Sequence, residues 1–528
     1  MKYITITIPI NFINKIKKII FNLISSEKNI LIISIFFSIT TIILSFHKDI
    51  IIAYGDAESH LNIAKRVVHS LTPGLAQLGG IWLPLPHILM VPFVYFDFLW
   101  RTGLAGSIVS GISFVISTII IYKLTYLFSQ NKTSAFIAAL VFITNPNILY
   151  MQTTPMTELT LIAFSFLSIY FFIKYLYFEN SLASLIFSAF FGFCATLSRY
   201  DGWFLVLFEA VIIFIKSLRE KKWSEAEGKI ITFSTLAFLG IALWMLWNAL
   251  ILSDPFYFTN SKFSAKSQQL VWLSKGQLPA YHNIFQSVLY YTVTWMSNNG
   301  VLLFFIAIIG FIYFIKSNIK YKFSLLILLF TPFIFNVLTL FLGQSVIFIP
   351  NLTPSTFEWR LFNVRYGLMM IPTASILLGY LFTSVKKTMK FIIIILFCIQ
   401  FLLYVIGYSP IISYTDGISG LSSAKKPNAE VWMKKNYDKG LVLIDDYART
   451  ISIIRSGIPM QNIIYIGNKP YWEESLKEPE KYATWIVMQK NDDVWKNIYK
   501  KSDIRGRLYK YFKKVYTSPE ILIFKKND

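Results

Sequence analysis

Cysteine is nearly absent from this chain: Cys194 and Cys398 are the only two in 528 residues, and both lie in apolar stretches. That excludes a disulfide framework and a thiolate metal centre. Acidic residues are sparse too, 28 against 50 lysines and arginines, and charged residues of every kind make up only 15% of the chain. No glycine-rich phosphate loop opens a helix, so a nucleotide-cofactor domain is not indicated. The strict alternation of polar and apolar residues that a membrane barrel needs is also missing.

What the chain has is apolar surface. Hydrophobic residues make up 55% and mean hydropathy is +0.55, more than a soluble protein of this size would need or easily bury. These residues fall in blocks separated by short Lys-rich stretches, which predicts a polytopic α-helical membrane protein. The net charge of +22 raises the question of nucleic acid, but its placement answers it. Lys2, Lys15, Lys17, Lys18 and Lys28 precede the first apolar run, and further basic clusters recur between later ones. That is the positive-inside pattern, and nucleic acid is not an expected partner.

Spans are expected near 29–46, 101–128, 134–150, 159–175, 181–197, 203–215, 230–250, 300–315, 324–342, 366–385 and 391–409, about eleven in all. This arrangement puts every strong basic cluster on one side, with the N-terminus cytoplasmic. The first run lacks a small-residue cleavage signal and reads as a retained span. Three regions follow: a basic cytoplasmic N-terminus at 1–28, a transmembrane domain at 29–410 with a long first external loop at 47–100, and a small extracytoplasmic α/β domain at 411–528. In the last, strands are expected at 440–445, 451–455, 463–466 and 484–488, and helices at 428–436 and 493–499.

The groups able to do chemistry sit at the external rim. In the first loop, Asp56 follows Gly55 and precedes a helix-like stretch, where it reads as an N-cap with Glu58 in the first turn. His60 is four residues on and shares a helix face with Asp56, whereas Glu58 points elsewhere. Trp82, Pro84, Pro86 and His87 close the loop as a stiff segment that resists a regular helix before residue 86. Arg101 begins the second span, Glu158 follows the turn after the third, and Arg199 and Asp201 flank Tyr200 in the turn between the fifth and sixth. Glu358, Arg360 and Arg365 precede the tenth. Each has a plain reading as a snorkelling or salt-bridged residue. Charges near hydrocarbon are costly, and together these make substrate-binding candidates. Arginines would neutralise a lipid-linked phosphate, and a carboxylate would take the proton of an attacking hydroxyl.

The order Asp56-Ala57-Glu58-Ser59-His60, then Trp82–His87, then Arg101 resembles the membrane glycosyltransferases of GT-C fold, in particular the protein O-mannosyltransferase and lipid A aminoarabinose transferase relatives, the family 39-like group. The resemblance covers about 30–215 and fits the later spans as architecture. It implies a polyprenyl-phosphate sugar donor and inverting transfer to a hydroxyl of a protein, lipid or glycan acceptor outside the cytoplasm. In that pattern Asp56 resembles the catalytic base, Glu58 lies beside acceptor or base, and Arg101 resembles the arginine near the donor. Arg365 is the choice for the donor phosphate by position. The family often has adjacent Asp-Glu, and Ala57 departs from this. No metal-ligand spacing stands out, although some enzymes of this fold use a divalent metal and the acidic residues leave that option open. A transporter would instead show broken helices in repeated halves with polar groups near the midplane, and no inverted repeat is evident. A non-catalytic assembly protein using the external domain for binding is the third reading.

Overall fold

The computed structural model describes residues 26–178, 181–220, 223–354, 361–419, 427–446 and 450–527. The basic N-terminal stretch up to residue 25, with Lys2, Lys15, Lys17 and Lys18, lies outside the described residues, as do Glu358 and Arg360.

Helix occupies each of the places where a span is expected. Five helices are long and apolar enough to cross a membrane: Glu27–His47, Leu104–Ser129, Glu158–Tyr177, Val364–Ser384 and Lys387–Val405. Three bent pairs raise the number to eight, with bends of 41° in Glu227–Leu252, 113° in Ile284–Ile315 and 47° in Lys322–Phe341. Between five and eight full-length spans are thus present among the described residues, against the expected eleven. The difference lies in length: Lys132–Thr144 and Leu182–Thr196 are apolar but shorter than a straight crossing requires.

Small and hydroxylated residues let these helices approach closely, as expected where lipid offers no competing hydrophobic drive. The Leu104–Ser129 helix turns Gly106, Ser107 and Ser110 toward the turn before Glu158. Ser107 Oγ donates to Thr153 O at 2.5 Å and Ser110 Oγ to Thr154 O at 2.8 Å. A Cβ on Gly106 would sit 2.4 Å from Pro155 Cα, so only glycine permits this contact. Gln152 accepts from Ser38 Oγ at 2.9 Å and ties the first helix to the same turn. Packing here places Glu158 where it starts its helix, fully buried.

The first loop is ordered throughout. It contains helices Gly55–His69, Leu85–Val94 and Asp97–Thr102. Tyr54, not Asp56, is the N-cap of the first of these, and Asp56 lies inside its first turn. The Trp82–His87 segment also differs from expectation: a helix starts at Leu85 with Pro86 in its first turn, where a missing N–H costs nothing. Arg101 does not begin the second span; it sits in the short Asp97–Thr102 helix, and left-handed Gly103 separates the two.

The C-terminal domain is a five-stranded mixed sheet in the order β2-β1-β3-β5-β4. Its strands are β1 (Val442–Ile444), β2 (Ile463–Ile464), β3 (Trp485–Gln489), β4 (Phe512–Thr517) and β5 (Ile521–Lys526). The first three are parallel, and β5 pairs antiparallel with β3 and β4. The stretch 451–455 is not a strand; Ser452 caps a single helical turn, Ile453–Ser456, by accepting from Arg455 N. Alternation puts Leu443, Ile486 and Phe524 on one face against Leu508. The other face, with Val442, Ile444, Trp485 and Val487, shares one core with Leu61, Ala64, Val94 and Trp100 of the first loop. The domain and the first loop are thus one packed unit. The Ile412–Ser419 helix packs instead against the helical module, where Ser413 N donates to Asn147 Oδ1 at 3.0 Å and Tyr54 Oη donates to Ser413 O.

Candidate active site

Three separate stretches of chain converge at one end of the helices. The first-loop helix brings Asp56 and His60, the Glu158 helix brings its own first residue, and the turn at Val364–Met370 brings Arg365. Arg365 is the hub. Its Nη2 donates to Asp56 Oδ2 at 3.1 Å, its Nε to Glu158 Oε1 at 3.3 Å and its Nη1 to Asn363 Oδ1 at 3.1 Å. Tyr54 and Tyr366 stack on the guanidinium at 4.9 and 5.2 Å, as suits a partly desolvated cation.

Arg199 stands beside this hub. Its Nη1 donates to Glu158 Oε1 at 3.4 Å and Thr157 Oγ1 at 3.2 Å, and its Nε lies 3.6 Å from Asp201 Oδ2. Glu158 thereby bridges the two arginines. Burial pulls the Arg199 guanidinium toward neutrality, but Asp201 and Glu158 carry it above its usual range. His60 Nδ1 lies 2.8 Å from His87 Nε2 and its ring packs on Trp82 at 4.6 Å. Burial pushes His60 down to about 4, against the pull of Asp56 and Glu158, so the ring is neutral near pH 7.

A fourth carboxylate, Asp416, was not found from the sequence. Its Oδ2 is 3.5 Å from Arg365 Nη1 and its side chain is fully buried. Burial raises this carboxyl to about 6. The available signal was a lone acid, Tyr-Thr-Asp-Gly, just past the last apolar run, but the composition change there assigned it to the external domain.

The structure thus gathers Asp56, Glu158, Arg199, Asp201 and Arg365, with His60 and His87 alongside. Glu58 and Arg101 face elsewhere. Glu58 Oε1 accepts from Ile454 N at 3.2 Å in the C-terminal domain, and burial raises its carboxyl above the usual range. Arg101 Nη1 and Nη2 donate to the carbonyls of Ile454 and Gly457 at 3.3 and 3.4 Å. Both join the two modules. Among the described residues no group of three or more His, Cys, Asp or Glu side chains is set to hold a metal ion.

Beside the charges, a small apolar crevice is lined by Leu161, Phe166, Leu205, Pro332 and Met369, with Asp201 at its edge.

This fold has solved counterparts. The structure superimposes on the ArnT protein of Cupriavidus metallidurans bound to undecaprenyl phosphate with a TM-score of 0.55, at 10% identity, over 92% of this chain and 97% of that one. The chain has the GT-C fold. The oligosaccharyltransferase of Archaeoglobus fulgidus in complex with Zn and sulfate gives a TM-score of 0.52 at 11% identity, over 94% of this chain and 73% of that one. The archaeal oligosaccharyltransferase AglB of the same organism, in complex with an inhibitory peptide and a dolichol-phosphate, gives 0.50 at 10% identity, over 93% and 73% of the two chains. The sequence signature described as dolichyl-phosphate-mannose-protein mannosyltransferase matches residues 98–247 of this GT-C chain. No curated protein sequence matches.

Proposed function

We infer that this protein transfers a sugar from a polyprenyl-phosphate donor to a hydroxyl acceptor at the extracytoplasmic face, with inversion at the anomeric carbon. The observation that carries this reading is the contact of Asp56 Oδ2 with Arg365 Nη2 at 3.1 Å, in a charged cluster whose Asp201 borders an apolar crevice. A carboxylate that can accept a proton and a guanidinium that can receive a phosphate stand side by side. The lipid phosphates bound in two counterparts of the same fold, undecaprenyl phosphate and dolichol-phosphate, support the class of ligand.

In this mechanism the lipid tail lies in the crevice past Leu161, Leu205 and Met369, and the phosphate meets Arg365 and Arg199. Asp56 takes the proton of the acceptor hydroxyl as its oxygen attacks the anomeric carbon. The bond from that carbon to the phosphate oxygen breaks, and the polyprenyl phosphate leaves with the electron pair. Two arginines at that oxygen stabilise the developing charge in a site where water does not screen it. His60, neutral, is positioned on the same helix face as Asp56 to hydrogen-bond a sugar or acceptor hydroxyl. Glu58 and Arg101 hold two helices of the first loop to the C-terminal domain. A divalent cation, if one takes part, would be met by Asp56 or Glu158 among the carboxylates here. The orientation that fits is N-terminus cytoplasmic and the α/β domain outside, with the short helices completing a topology of about eleven crossings. The test is sugar transfer in proteoliposomes from a panel of radiolabelled polyprenyl-phosphate sugars. Transfer to an acceptor extract is the expected result, and its absence across the panel with folded protein contradicts the reading.

A further inference from the structure

Asp416 has no place in the mechanism above, yet it is as enclosed as Glu158, the other fully buried carboxylate on Arg365. It lies on the Ile412–Ser419 helix, the first element after the last span. Tyr54 and Tyr150 close over the neighbouring Gly417, whose Cβ position is 2.9 Å from the Tyr54 ring and 3.0 Å from Tyr150 Oη. Nothing but Arg365 answers its charge: Oδ2 is 3.5 Å from Nη1, and neither oxygen has a hydrogen-bonding partner among the described residues.

The two sides of Arg365 are unlike. Asp56 is 17% exposed and Asp416 is 0% exposed, with Arg365 between them at 4%. A phosphate arriving from outside therefore meets the Asp56 side, and Asp416 stands behind. The charge balance makes the rear group matter. Asp56, Glu158, Asp201 and Asp416 surround Arg199 and Arg365, an excess of two negative charges when all are ionised. An anionic donor adds a third, so binding is favoured by whatever removes one. Asp56 is needed as a base, and Glu158 and Asp201 each have a guanidinium in contact. Asp416 shares Arg365 with both Asp56 and Glu158, whereas Asp201 shares Arg199 with Glu158 alone, so Asp416 is the carboxyl that gives up its charge most easily.

We propose that Asp416 is a positioning residue which holds Arg365 from behind, and that its protonation frees the guanidinium's charge for the donor phosphate at the front. The inference rests on the transferase reading. The proton comes from solvent and returns there when the polyprenyl phosphate leaves. Burial places this carboxyl at about 6, within reach of ordinary pH. The other groups facing it are Asp56 and Tyr54 from the first loop, Tyr150 from the Pro146–Met151 turn, and Arg365 and Tyr366 from the Val364–Met370 turn. The Ile284–Asn299 helix adds only Tyr290 and Tyr291 as titratable side chains. None of the tyrosines ionises near pH 6, and Tyr54 and Tyr150 are pushed further up by burial.

The test is the pH dependence of donor KM and of kcat in proteoliposomes, for the parent and Asp416→Asn, using whichever polyprenyl-phosphate sugar the parent turns over. That donor is a phosphodiester and does not itself titrate between pH 5 and 8. In the parent, donor KM rises by up to about tenfold between pH 5 and pH 7.5, as a unit charge behind a partly buried guanidinium implies. In Asp416→Asn the KM is low and flat across this range, while kcat stays within about threefold. An Asp416→Asn protein that folds but keeps the parent's KM profile overturns the proposal. So does one that loses kcat with KM unchanged, the mark of a merely structural role. If the asparagine variant does not fold, Asp416→Glu replaces it and must still show a KM that varies with pH; a flat profile in that variant also overturns the proposal. Failure of the parent to transfer from any donor counts against the transferase reading instead, so the two failures are distinguishable.

Discussion

Glu158→Gln removes the charge that bridges the two arginines, and its effect can be worked out from the geometry. Glu158 Oε1 lies 3.3 Å from Arg365 Nε and 3.4 Å from Arg199 Nη1, with the side chain fully buried. A unit pair at this distance is worth about 5 kcal/mol at an effective dielectric of about 20. Glutamine keeps an acceptor oxygen for one of the two donors, and Asp56, Asp201 and Asp416 remain beside the guanidiniums. The expected net loss is therefore near the lower end of the cost of breaking a buried pair, about 3 kcal/mol. Thermal melting of the detergent-purified protein, followed by tryptophan fluorescence, should show a drop of about 3 °C. Glu209→Gln is the control. Glu209 is also fully buried, but its partner is the Ser168 hydroxyl, 3.0 Å from both carboxyl oxygens, which glutamine can replace. A Glu158→Gln shift no larger than that of Glu209→Gln would refute the bridge. It would mean that the other three carboxylates already balance both arginines.

Three further outcomes follow from contacts described above. Arg66 pairs with Asp446 and stacks on Tyr465 at 3.8 Å where the first loop meets the C-terminal sheet. Arg66→Asp should destabilise that junction by about 3 kcal/mol and expose the domain to limited proteolysis, and adding Asp446→Arg should restore part of the protection. Burial holds His60 at about 4 in the folded protein, whereas an unfolded histidine titrates near 6.5. Below about pH 6.5 the unfolded chain takes up a proton that the folded one refuses, so stability falls as pH drops toward 4. In melting curves across that window, His60→Gln should remove up to about 3 kcal/mol of the acid penalty. Gly106→Val forces a side chain against Pro155 and should cost about 1–3 kcal/mol, read as a lower yield of folded protein and a lower melting temperature.

Much of the site was legible in the sequence because charges at membrane boundaries are rare and costly. Asp56, Glu158, Arg199, Asp201 and Arg365 each lie at the boundary of an apolar run, where hydropathy draws attention to them. What the sequence could not give was which of them meet. Glu58 and Arg101 carry the same local signals as Asp56 and Arg365, but they turn toward the carbonyls and amides near Ile454, and that contact depends on a domain more than 350 positions away in the chain. Asp416 was missed for the converse reason. It follows the last span, where the composition becomes polar, and only packing of its short helix back onto Asn147 and Tyr54 returns it to the site. Block hydropathy does not measure helix length, which is why more spans are expected than there are full-length helices: Lys132–Thr144 and Leu182–Thr196 are apolar yet short. In the C-terminal domain β1, β2 and β3 read clearly as apolar runs. β4 was hidden by Lys513 and Lys514, which are exposed, whereas β5 is an apolar run, Ile521–Phe524, packed on both faces, that its short length and flanking lysines left unremarked.

The central claim is that Asp56 is the base in transfer from a polyprenyl-phosphate sugar, and one measurement reaches it directly. Radiolabelled sugar transfer is followed in proteoliposomes for the parent and for Asp56→Asn, with melting curves to establish that both are folded. The account predicts transfer by the parent from at least one donor and a loss of about a hundredfold or more in the variant. A folded Asp56→Asn protein that transfers at the parent's rate would contradict it.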